Sequence, residues 1–326
     1  MHRLSLVIVT PSVAAANNGN WRTAQRWARL LGAAYRVRLG DGWNGGDEAA
    51  MIALHARRSA PAIAAWRAAH PARALVVVLT GTDLYRDIDS DAAARRSLHL
   101  ADTLVVLNEL GAQRLPEALR GKARVVLQSC PARTTLPHTQ RHLRALMVGH
   151  LRDEKDPRTY WRAAARLAAR SDIRFDHIGA ALDPALGAEA DALAARLPRL
   201  RWLGARPHDE VRRRIQRAHV LVQASRMEGG AQTVIEAIRS GTPVLASRID
   251  GNLGLLGADY EGVFEPGDDA ALAALLARAR DERDMLPRLA AALAARSRRF
   301  APEAEREALQ ALLAALLAHE PNTARP

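Results

Sequence analysis

Short runs of consecutive apolar residues alternate along the chain with longer stretches in which apolar residues recur every three to four positions. The clearest apolar runs of the first half have the length of strands buried on both faces of a sheet, and they lie at residues 4–9, 74–79, 103–107 and 124–127. Helical spacing is predicted between them, at residues 23–31, 47–70 and 92–100. This alternation is typical of α/β architecture with parallel sheets.

The domain organisation follows from chain length and from the position of a break in the pattern. A chain of 326 residues exceeds what one hydrophobic core comfortably holds, so two domains are expected. Residues 130–137 form a polar segment with two prolines and are predicted to be the linker. We therefore predict a first domain at residues 1–140, a second at 141–300, and a C-terminal helix and tail at 301–326.

The last predicted helix, residues 303–319, is amphipathic. It places five leucines on one stripe, which should pack onto a core: Leu309, Leu312, Leu313, Leu316 and Leu317.

In the second half, two carboxylates flank a pair of glycines. Residues 219–222 predict a buried strand and residues 231–239 a helix, so Glu228 and Gly229-Gly230 lie in the connecting loop and Glu236 inside the helix. Unpaired amides at a helix start favour a diphosphate, and glycines let the backbone approach it. A carboxylate before the helix can accept hydrogen bonds from a sugar, and one roughly 8 to 9 Å further along can reach a ribose. The alternative is two solvated glutamates beside an ordinary loop.

The string from Ser225 to Val244 resembles the donor-site signature of glycosyltransferases with the GT-B fold, in which two Rossmann-like domains face a cleft. The resemblance implies that Glu228, the first glutamate of the E-x7-E pair, contacts the donor sugar and that Glu236 contacts the nucleotide ribose. Further pieces follow the family's order, so that the similarity spans residues 143–326; they lie at residues 147–156, 176–179, 202–204 and 262–267. Such enzymes often send their final helix back onto the first domain, and the same is expected here, with membrane-surface docking of the leucine stripe as the alternative.

The chain departs from the family at one diphosphate-binding position. The family usually has Gly-Arg-Leu where this chain has Gly-His-Leu at residues 149–151, so the arginine is replaced by His150. Arg152 is a candidate substitute. The family's lysine is present as Lys155, one of two lysines among 47 basic residues. Its retention in an arginine-rich chain indicates a compact phosphate-binding charge, against the alternative of a chance surface lysine.

The first domain carries two loops at predicted strand ends, where open α/β sheets bind ligands. One lies within residues 10–31 and leads into a helix, and the other lies within residues 79–88. The candidate acceptor-binding residues of these loops are Gly19, Asn20, Arg22, Arg26, Thr82 and Arg86, and the candidate catalytic residues are Asp83 and Glu228. A helix cap remains open for Asp83, and an exposed helix face for the arginines at 22 and 26.

The strings Gly-Asn-x-x-Thr-Ala-x-Arg-Trp-Ala at residues 19–28 and Gly-Thr-Asp-Leu-Tyr-Arg-Asp at residues 81–87 resemble the selenosugar synthases of selenoneine biosynthesis. This resemblance implies transfer of a sugar, typically N-acetylglucosamine, from a UDP-sugar to selenophosphate, with formation of a carbon–selenium bond. Selenophosphate arrives anionic and nucleophilic, so it needs positioning and charge neutralisation more than deprotonation. Arginines at 22, 26 and 86 match its phosphoryl oxygens. The leaving UDP would be stabilised by Lys155, Gly229, Gly230 and Thr233.

Three other functions share part of this pattern. A glycosyltransferase with a hydroxyl acceptor, a lipid or another sugar, needs every feature of the second domain. A UDP-sugar epimerase has the same fold but needs acid and base groups around the sugar, which the isolated histidines do not clearly supply. A non-catalytic sugar-nucleotide binding protein needs Glu228 but not the acceptor-side residues.

Composition narrows the partners and the compartment. Since no histidine or carboxylate cluster has ligand spacing, we expect no metal and no cofactor beyond the UDP-sugar co-substrate. Most of the formal charge of +12 lies in residues 1–140, which fits an anionic acceptor or an acidic membrane or nucleic acid, or merely an arginine-rich surface. Nucleic acid is disfavoured because aromatic residues make up 4% and no recognition module is present. With one cysteine, Cys130, no membrane-length run and no signal sequence, a cytoplasmic enzyme is predicted.

Overall fold

A computed structural model describes residues 3–11 and 19–318 of the chain. Residues 12–18 of the predicted loop at 10–31, and His319 of the predicted last helix, lie outside the described residues. The chain divides into two compact units, the first made of Met1–Ser129 with Pro302–Pro326 and the second of Cys130–Ala301. The division therefore falls at residue 130, ahead of the predicted boundary at 140, and the C-terminal segment belongs to the first unit.

The first unit is built around a six-stranded parallel sheet with the order β2-β1-β3-β4-β5-β6. Alternate residues of its strands face two separate apolar clusters, one on each face of the sheet. Its strands are β1 Ser5–Val9, β2 Arg36–Gly40, β3 Ala50–Leu54, β4 Ala74–Leu79, β5 Thr103–Val106 and β6 Ala123–Val125. Its helices are α1 Gly19–Leu31, α2 Ala60–Ala69, α3 Ile88–Ser90, α4 Ala92–Leu100, α5 Glu117–Arg120 and α13 Pro302–Ala318.

One helix prediction in this unit is wrong. Residues 47–70 are not one helix, because Ala50–Leu54 forms β3 between β1 and β4, and only Ala60–Ala69 is helical. All five residues of β3 are buried. Its alanines and leucine have good helix propensity, but burial on both faces of a central strand outweighs that preference.

Helix α13 completes one face of the first sheet. Leu309 and Leu313 are fully buried in the same cluster as Trp27 of α1, and the other three leucines of the predicted stripe are partly buried against it. Buried Glu305 accepts hydrogen bonds from Arg26 Nε at 2.8 Å and Trp27 Nε1 at 2.7 Å. Apolar packing and a buried polar contact thus both fix this helix to α1.

The second unit contains another six-stranded parallel sheet, with the order β12-β11-β10-β7-β8-β9. Its strands are β7 Leu143–Val148, β8 Ile173–Ile178, β9 Leu200–Trp202, β10 Val220–Gln223, β11 Val244–Ser247 and β12 Val263–Phe264. Its helices are α6 Pro157–Arg166, α7 Pro184–Arg196, α8 His208–Arg217, α9 Gln232–Ile238, α10 Asp250–Leu256, α11 Asp269–Asp281 and α12 Met285–Arg296. The order reverses direction between β7 and β10, which is where ligands bind in sheets of this kind.

The predicted linker at 130–137 runs along the second unit without regular secondary structure. Arg133 N donates to Arg239 O at 2.9 Å and Thr135 Oγ1 donates to Ser240 O at 2.8 Å. Cys130 is buried, with Sγ 3.9 Å from Ile235 O. These bonds explain why the segment belongs to the second unit.

Two parallel sheets with helices packed on their faces confirm the predicted α/β fold class of two Rossmann-like units. Within the described residues, no helix combines the length and the apolar character that crossing a bilayer requires.

Candidate functional site

Glu228 lies at the carboxyl end of β10 and receives three hydrogen bonds on one oxygen. Its Oε1 accepts from Lys155 Nζ at 2.5 Å, from Gln223 Nε2 at 2.6 Å and from Ser225 Oγ at 2.6 Å. The residue is 8% exposed. The two predicted donor-site residues of opposite charge, Lys155 and Glu228, are therefore brought into direct contact.

Lys155 reaches Glu228 because β7 and β10 are neighbouring parallel strands. Lys155 follows β7 in a short turn, Asp153–Lys155, whose next residue, Asp156, has a left-handed φ of 43°. The Asp156 carboxylate accepts from Thr159 N and caps α6. Parallel strands end at the same edge of a sheet, so residues 73 positions apart in sequence meet there.

Two neighbours of Glu228 that lie outside the string at residues 225–244 escaped sequence reasoning. Gln223 links Glu228 to Thr233, because its Oε1 accepts from Thr233 Oγ1 at 3.0 Å while its Nε2 donates to Glu228. A polar residue that ends an apolar strand is the only sequence signal for it. Gly251, in α10, packs so closely that a Cβ there would lie 1.9 Å from Glu228 O, so only glycine fits beneath the backbone of Glu228.

The predicted glycine pair stands next to these groups. Gly229 is buried and Gly230 half-buried, between Glu228 and the start of α9. Helix α9 is shorter than the predicted helix at 231–239, and Ala231 at its start provides no side-chain cap.

Glu236, the second predicted carboxylate, is paired with a histidine. Its Oε1 lies 2.7 Å from His208 Nε2, which donates to it. Glu236 is 2% exposed, whereas the His208 side chain is 49% exposed at the first turn of α8. This partner was not predicted, since 28 residues of sequence separate the two positions.

The loop after β7, which departs from the family pattern, is held by a buried histidine. His177 Nε2 donates to Gly149 O at 3.1 Å, and His177 Nδ1 accepts from Trp161 Nε1 at 3.1 Å. Burial lowers the pKa of His177 to about 4, so it is a neutral structural residue at neutral pH.

His150, which stands in the family arginine's place, and Arg152, the candidate substitute, differ in their contacts. His150 is exposed and its Nδ1 accepts from Ala180 N at 3.0 Å. Arg152 is 45% exposed, with its Nε 4.0 Å from Glu154 Oε2. Neither contact ties these side chains to Glu228 or to Lys155.

In the first unit, Asp83 lies at the end of β4 and is fully buried. Its Oδ1 accepts from the amides of Thr80 and Gly81, and its Oδ2 accepts from the amide of Ala56, each at 2.9 Å. Both carboxylate oxygens are thus used to tie the ends of β3 and β4 together. These contacts give Asp83 a positioning role, and its predicted catalytic role draws no support from them.

The remaining acceptor-side predictions fall into two groups within the first unit. Gly19 and Asn20 open α1, where Gly19 O accepts from Thr23 Oγ1 at 2.9 Å, and Arg22 lies half-buried one turn further on. Arg26 is paired with Glu305, its side chain only 16% exposed. The guanidinium of Arg26 therefore helps to hold α13, and its predicted acceptor role stays a prediction.

The second group lies after β4. Thr82 Oγ1 is 3.1 Å from His55 Nε2, and Arg86 Nε donates to Asp87 Oδ1 at 3.2 Å. Burial lowers the pKa of His55, against the opposing field of the Asp83 carboxylate. His55, like Asp87, was missed by sequence reasoning.

Among residues 3–11 and 19–318, no group of three or more histidine, cysteine, aspartate or glutamate side chains is placed to hold a metal ion. The expectation of metal independence stays a prediction, to be tested with a chelator.

Comparison with known families and structures connects this geometry to a reaction class. Residues 133–298 match the family described as glycosyl transferases group 1, which is just over half of the chain. No curated protein matches the chain at a significant level.

Solved structures resemble the whole chain at low sequence identity. Sucrose-phosphate synthase from Thermosynechococcus elongatus is 16% identical with a TM-score of 0.78, over 97% of this chain and 100% of that one. HepE from Anabaena, solved with UDP and glucose, is 16% identical with a TM-score of 0.75, over 96% and 100%. The lipopolysaccharide outer core galactosyltransferase WaaB is 13% identical with a TM-score of 0.69, over 96% and 99%. These likenesses are of fold, and they confirm the predicted GT-B class.

Proposed function

The chain belongs to the glycosyl transferases group 1 family, and we propose that it transfers N-acetylglucosamine from a UDP-sugar to selenophosphate, forming a carbon–selenium bond. Family membership supplies the reaction class, transfer of a sugar from an activated donor. The identity of the donor and of the acceptor rests on the site residues and on the resemblance of residues 19–28 and 81–87 to selenosugar synthases.

The observation that carries the donor assignment is the contact between Lys155 and Glu228. A sugar nucleotide offers both residues better partners, because its diphosphate attracts the ammonium group and its sugar hydroxyls donate to the carboxylate. Of the two carboxylate oxygens of Glu228, Oε1 is the one that accepts all three of the hydrogen bonds described above. HepE, whose fold is similar, was solved with UDP-glucose, which supports a uridine nucleotide as the donor.

The nucleotide end of the donor is assigned to Glu236. Its carboxylate is buried but meets an exposed histidine, so a ribose hydroxyl can bind where the His208 imidazole now donates. Thr233 supports the sugar end, because it orients Gln223 and through it Glu228. In this proposal Glu228 contacts the sugar end of the donor and Glu236 its ribose, as the E-x7-E pattern implies.

An anionic acceptor suits the first unit better than a neutral hydroxyl. A hydroxyl must lose a proton as it attacks, and buried Asp83, with both oxygens bound to backbone amides, is not placed to take one. Selenophosphate needs no base. Selenium supplies the electron pair for the new bond to the anomeric carbon, and the bond from that carbon to the β-phosphate oxygen breaks with its electron pair leaving on UDP. Water then attacks phosphorus, which releases phosphate and leaves the proton on selenium.

The direct test is a reaction of the purified protein with UDP-N-acetylglucosamine and selenophosphate. We expect release of UDP that depends on selenophosphate, together with a selenium-bearing sugar detected by mass spectrometry. UDP release unchanged by omitting selenophosphate, or no UDP release with this pair, would overturn the proposal. Transfer to an added lipid or sugar instead would favour the hydroxyl-acceptor alternative. Because no metal is invoked, excess chelator should leave the rate unchanged, and loss of activity restored by magnesium would contradict metal independence.

A further inference from the structure

A cluster of charged side chains lies where β3 and β4 end side by side in the first sheet. β3 and β4 are parallel neighbours, with Leu54 opposite Val78. The residues that follow them supply both positive and negative groups. These are His55, Arg57 and Arg58 after β3, and Asp83, Arg86 and Asp87 after β4. The carboxyl edge of a parallel sheet is where α/β proteins bind ligands.

Asp87 holds two arginines in place. Its carboxylate is 3% exposed, yet Arg57 Nε lies 3.0 Å from Oδ2 and Arg86 Nε lies 3.2 Å from Oδ1. The two arginine side chains are 40% and 46% exposed. A buried carboxylate therefore fixes the inner edge of two guanidinium groups that also face solvent.

The backbone that presents Arg57 is strained. His55 has a φ of 74°, an uncommon conformation for a residue with a side chain. The turn is fixed on both sides, because His55 N donates to Val78 O at 2.8 Å and Ser59 Oγ donates to Leu54 O at 2.7 Å. Strain of this kind persists where the surrounding structure over-determines it, and it concentrates at ligand sites.

The two buried carboxylates at these strand ends have different partners. Asp83 accepts hydrogen bonds from three backbone amides, whereas Asp87 contacts Arg57 and Arg86. Within the part of the chain that the structure describes, the Arg57 guanidinium contacts Asp87 through its Nε. Its two terminal nitrogens can then each donate a hydrogen bond to one of two oxygens on the same phosphoryl group, which is the bidentate geometry that arginine and phosphate adopt.

We propose that Arg57 and Arg86, held by Asp87, form an oxyanion site in the first unit that binds the phosphoryl end of the acceptor. The assignment rests on the proposed function, in which the acceptor carries such a group. It adds Arg57, which sequence reasoning did not single out, and it replaces Arg26, whose guanidinium is bound to Glu305. The site would select an acceptor with a tetrahedral oxyanion over a neutral one.

The test is calorimetric titration of inorganic phosphate into the protein with UDP present at saturation, so that the donor site is occupied. The variants are Arg57→Gln, Arg57→Lys and, as a matched control, Arg38→Gln. Arg38 is also 40% exposed and also pairs with a largely buried carboxylate, Glu48, but it lies in the edge strand β2, away from the ends of the central strands β3 and β4. We expect wild type and Arg38→Gln to bind phosphate alike and Arg57→Gln to bind it about tenfold more weakly or worse.

Two further readouts keep the outcomes distinct. Arg57→Lys keeps the charge but loses the paired donors, so it should bind phosphate more weakly than wild type, which keeps the test valid if Arg57→Gln fails to fold. Phosphate that does not bind the UDP-loaded protein, or that binds Arg57→Gln and Arg57→Lys as well as wild type, overturns the site. If phosphate binding depends on Arg57 but wild type releases no UDP with selenophosphate, the oxyanion site stands and the proposed function fails.

Discussion

The two sheets each end in a cluster of carboxylates and cations, but the clusters use their carboxylates differently. In the second unit Glu228 meets side chains of Lys155, Gln223 and Ser225. In the first unit Asp83 meets three backbone amides. Side-chain partners can rotate away when a ligand arrives, whereas backbone amides are fixed by the strands. Glu228 is therefore suited to exchange partners with a substrate, and Asp83 to hold two strand ends together.

Replacement of Glu228 should give the largest effect on activity. Glu228→Gln removes the charge that faces the donor sugar, and we expect turnover to fall about a hundredfold or more, as for loss of one preorganised electrostatic contact. UDP release per enzyme at saturating donor measures it. Glu265→Gln is the control, because Glu265 lies in the same unit but is 67% exposed in a pair with Arg248. Comparable turnover in the two variants would remove Glu228 from the sugar site.

Asp83→Ala should act on stability. Three backbone amides, two of them in buried hydrogen bonds, lose their acceptor, so we expect the free energy of unfolding to drop by about 2 to 4 kcal/mol, measured by urea unfolding. Asp89→Ala removes an exposed partner of Arg114 in the same unit and should change it by at most about 0.5 kcal/mol. A variant at 83 that is as stable as wild type but inactive would make Asp83 a catalytic residue and not a tie between two strand ends.

The smallest effect is expected at the nucleotide end of the donor site. Glu236→Ala should weaken UDP binding about tenfold through loss of a charged hydrogen bond to the ribose, as measured by calorimetry. His208→Ala should have an effect within about threefold, because the imidazole is replaced by ligand in this proposal. Glu261→Ala, at a 72% exposed glutamate of the same unit, serves as the control. Unchanged UDP binding in Glu236→Ala would exclude the ribose role.

Much of the fold could be predicted because a buried strand is visible in the sequence as a short run of apolar residues. The six residues of β4 are an unbroken apolar run and match the prediction without change. β3 was missed because Ile52 is its only β-branched residue, and the others are alanine, methionine and leucine. Its strand conformation depends on pairing with the strands on either side, which the local sequence does not show. Helix α1 begins at Gly19, ahead of the predicted start at 23.

The candidate site was predictable where one local string carries it and not where distant segments meet. Glu228 and Glu236 belong to one loop and helix, so their spacing was visible. Lys155 was predicted as a donor-site residue, but its contact with Glu228 spans 73 positions and was not, and neither was the contact of His208 with Glu236 across 28 positions. Arg26 shows the converse, since its pair with Glu305 spans 279 positions and gives a predicted ligand residue a packing role.

The pairing of α1 with α13 also sets an order of events during synthesis. Most of the first unit is translated before the second, yet Glu305, Leu309 and Leu313, which pack on one of its faces, are translated after the second unit. Until they emerge, Trp27 and the neighbouring apolar surface lack the cover that α13 provides. The second unit is continuous in sequence and has all of its residues before then. The half of the chain that is translated later can therefore finish folding earlier, and the final helix closes the other half behind it.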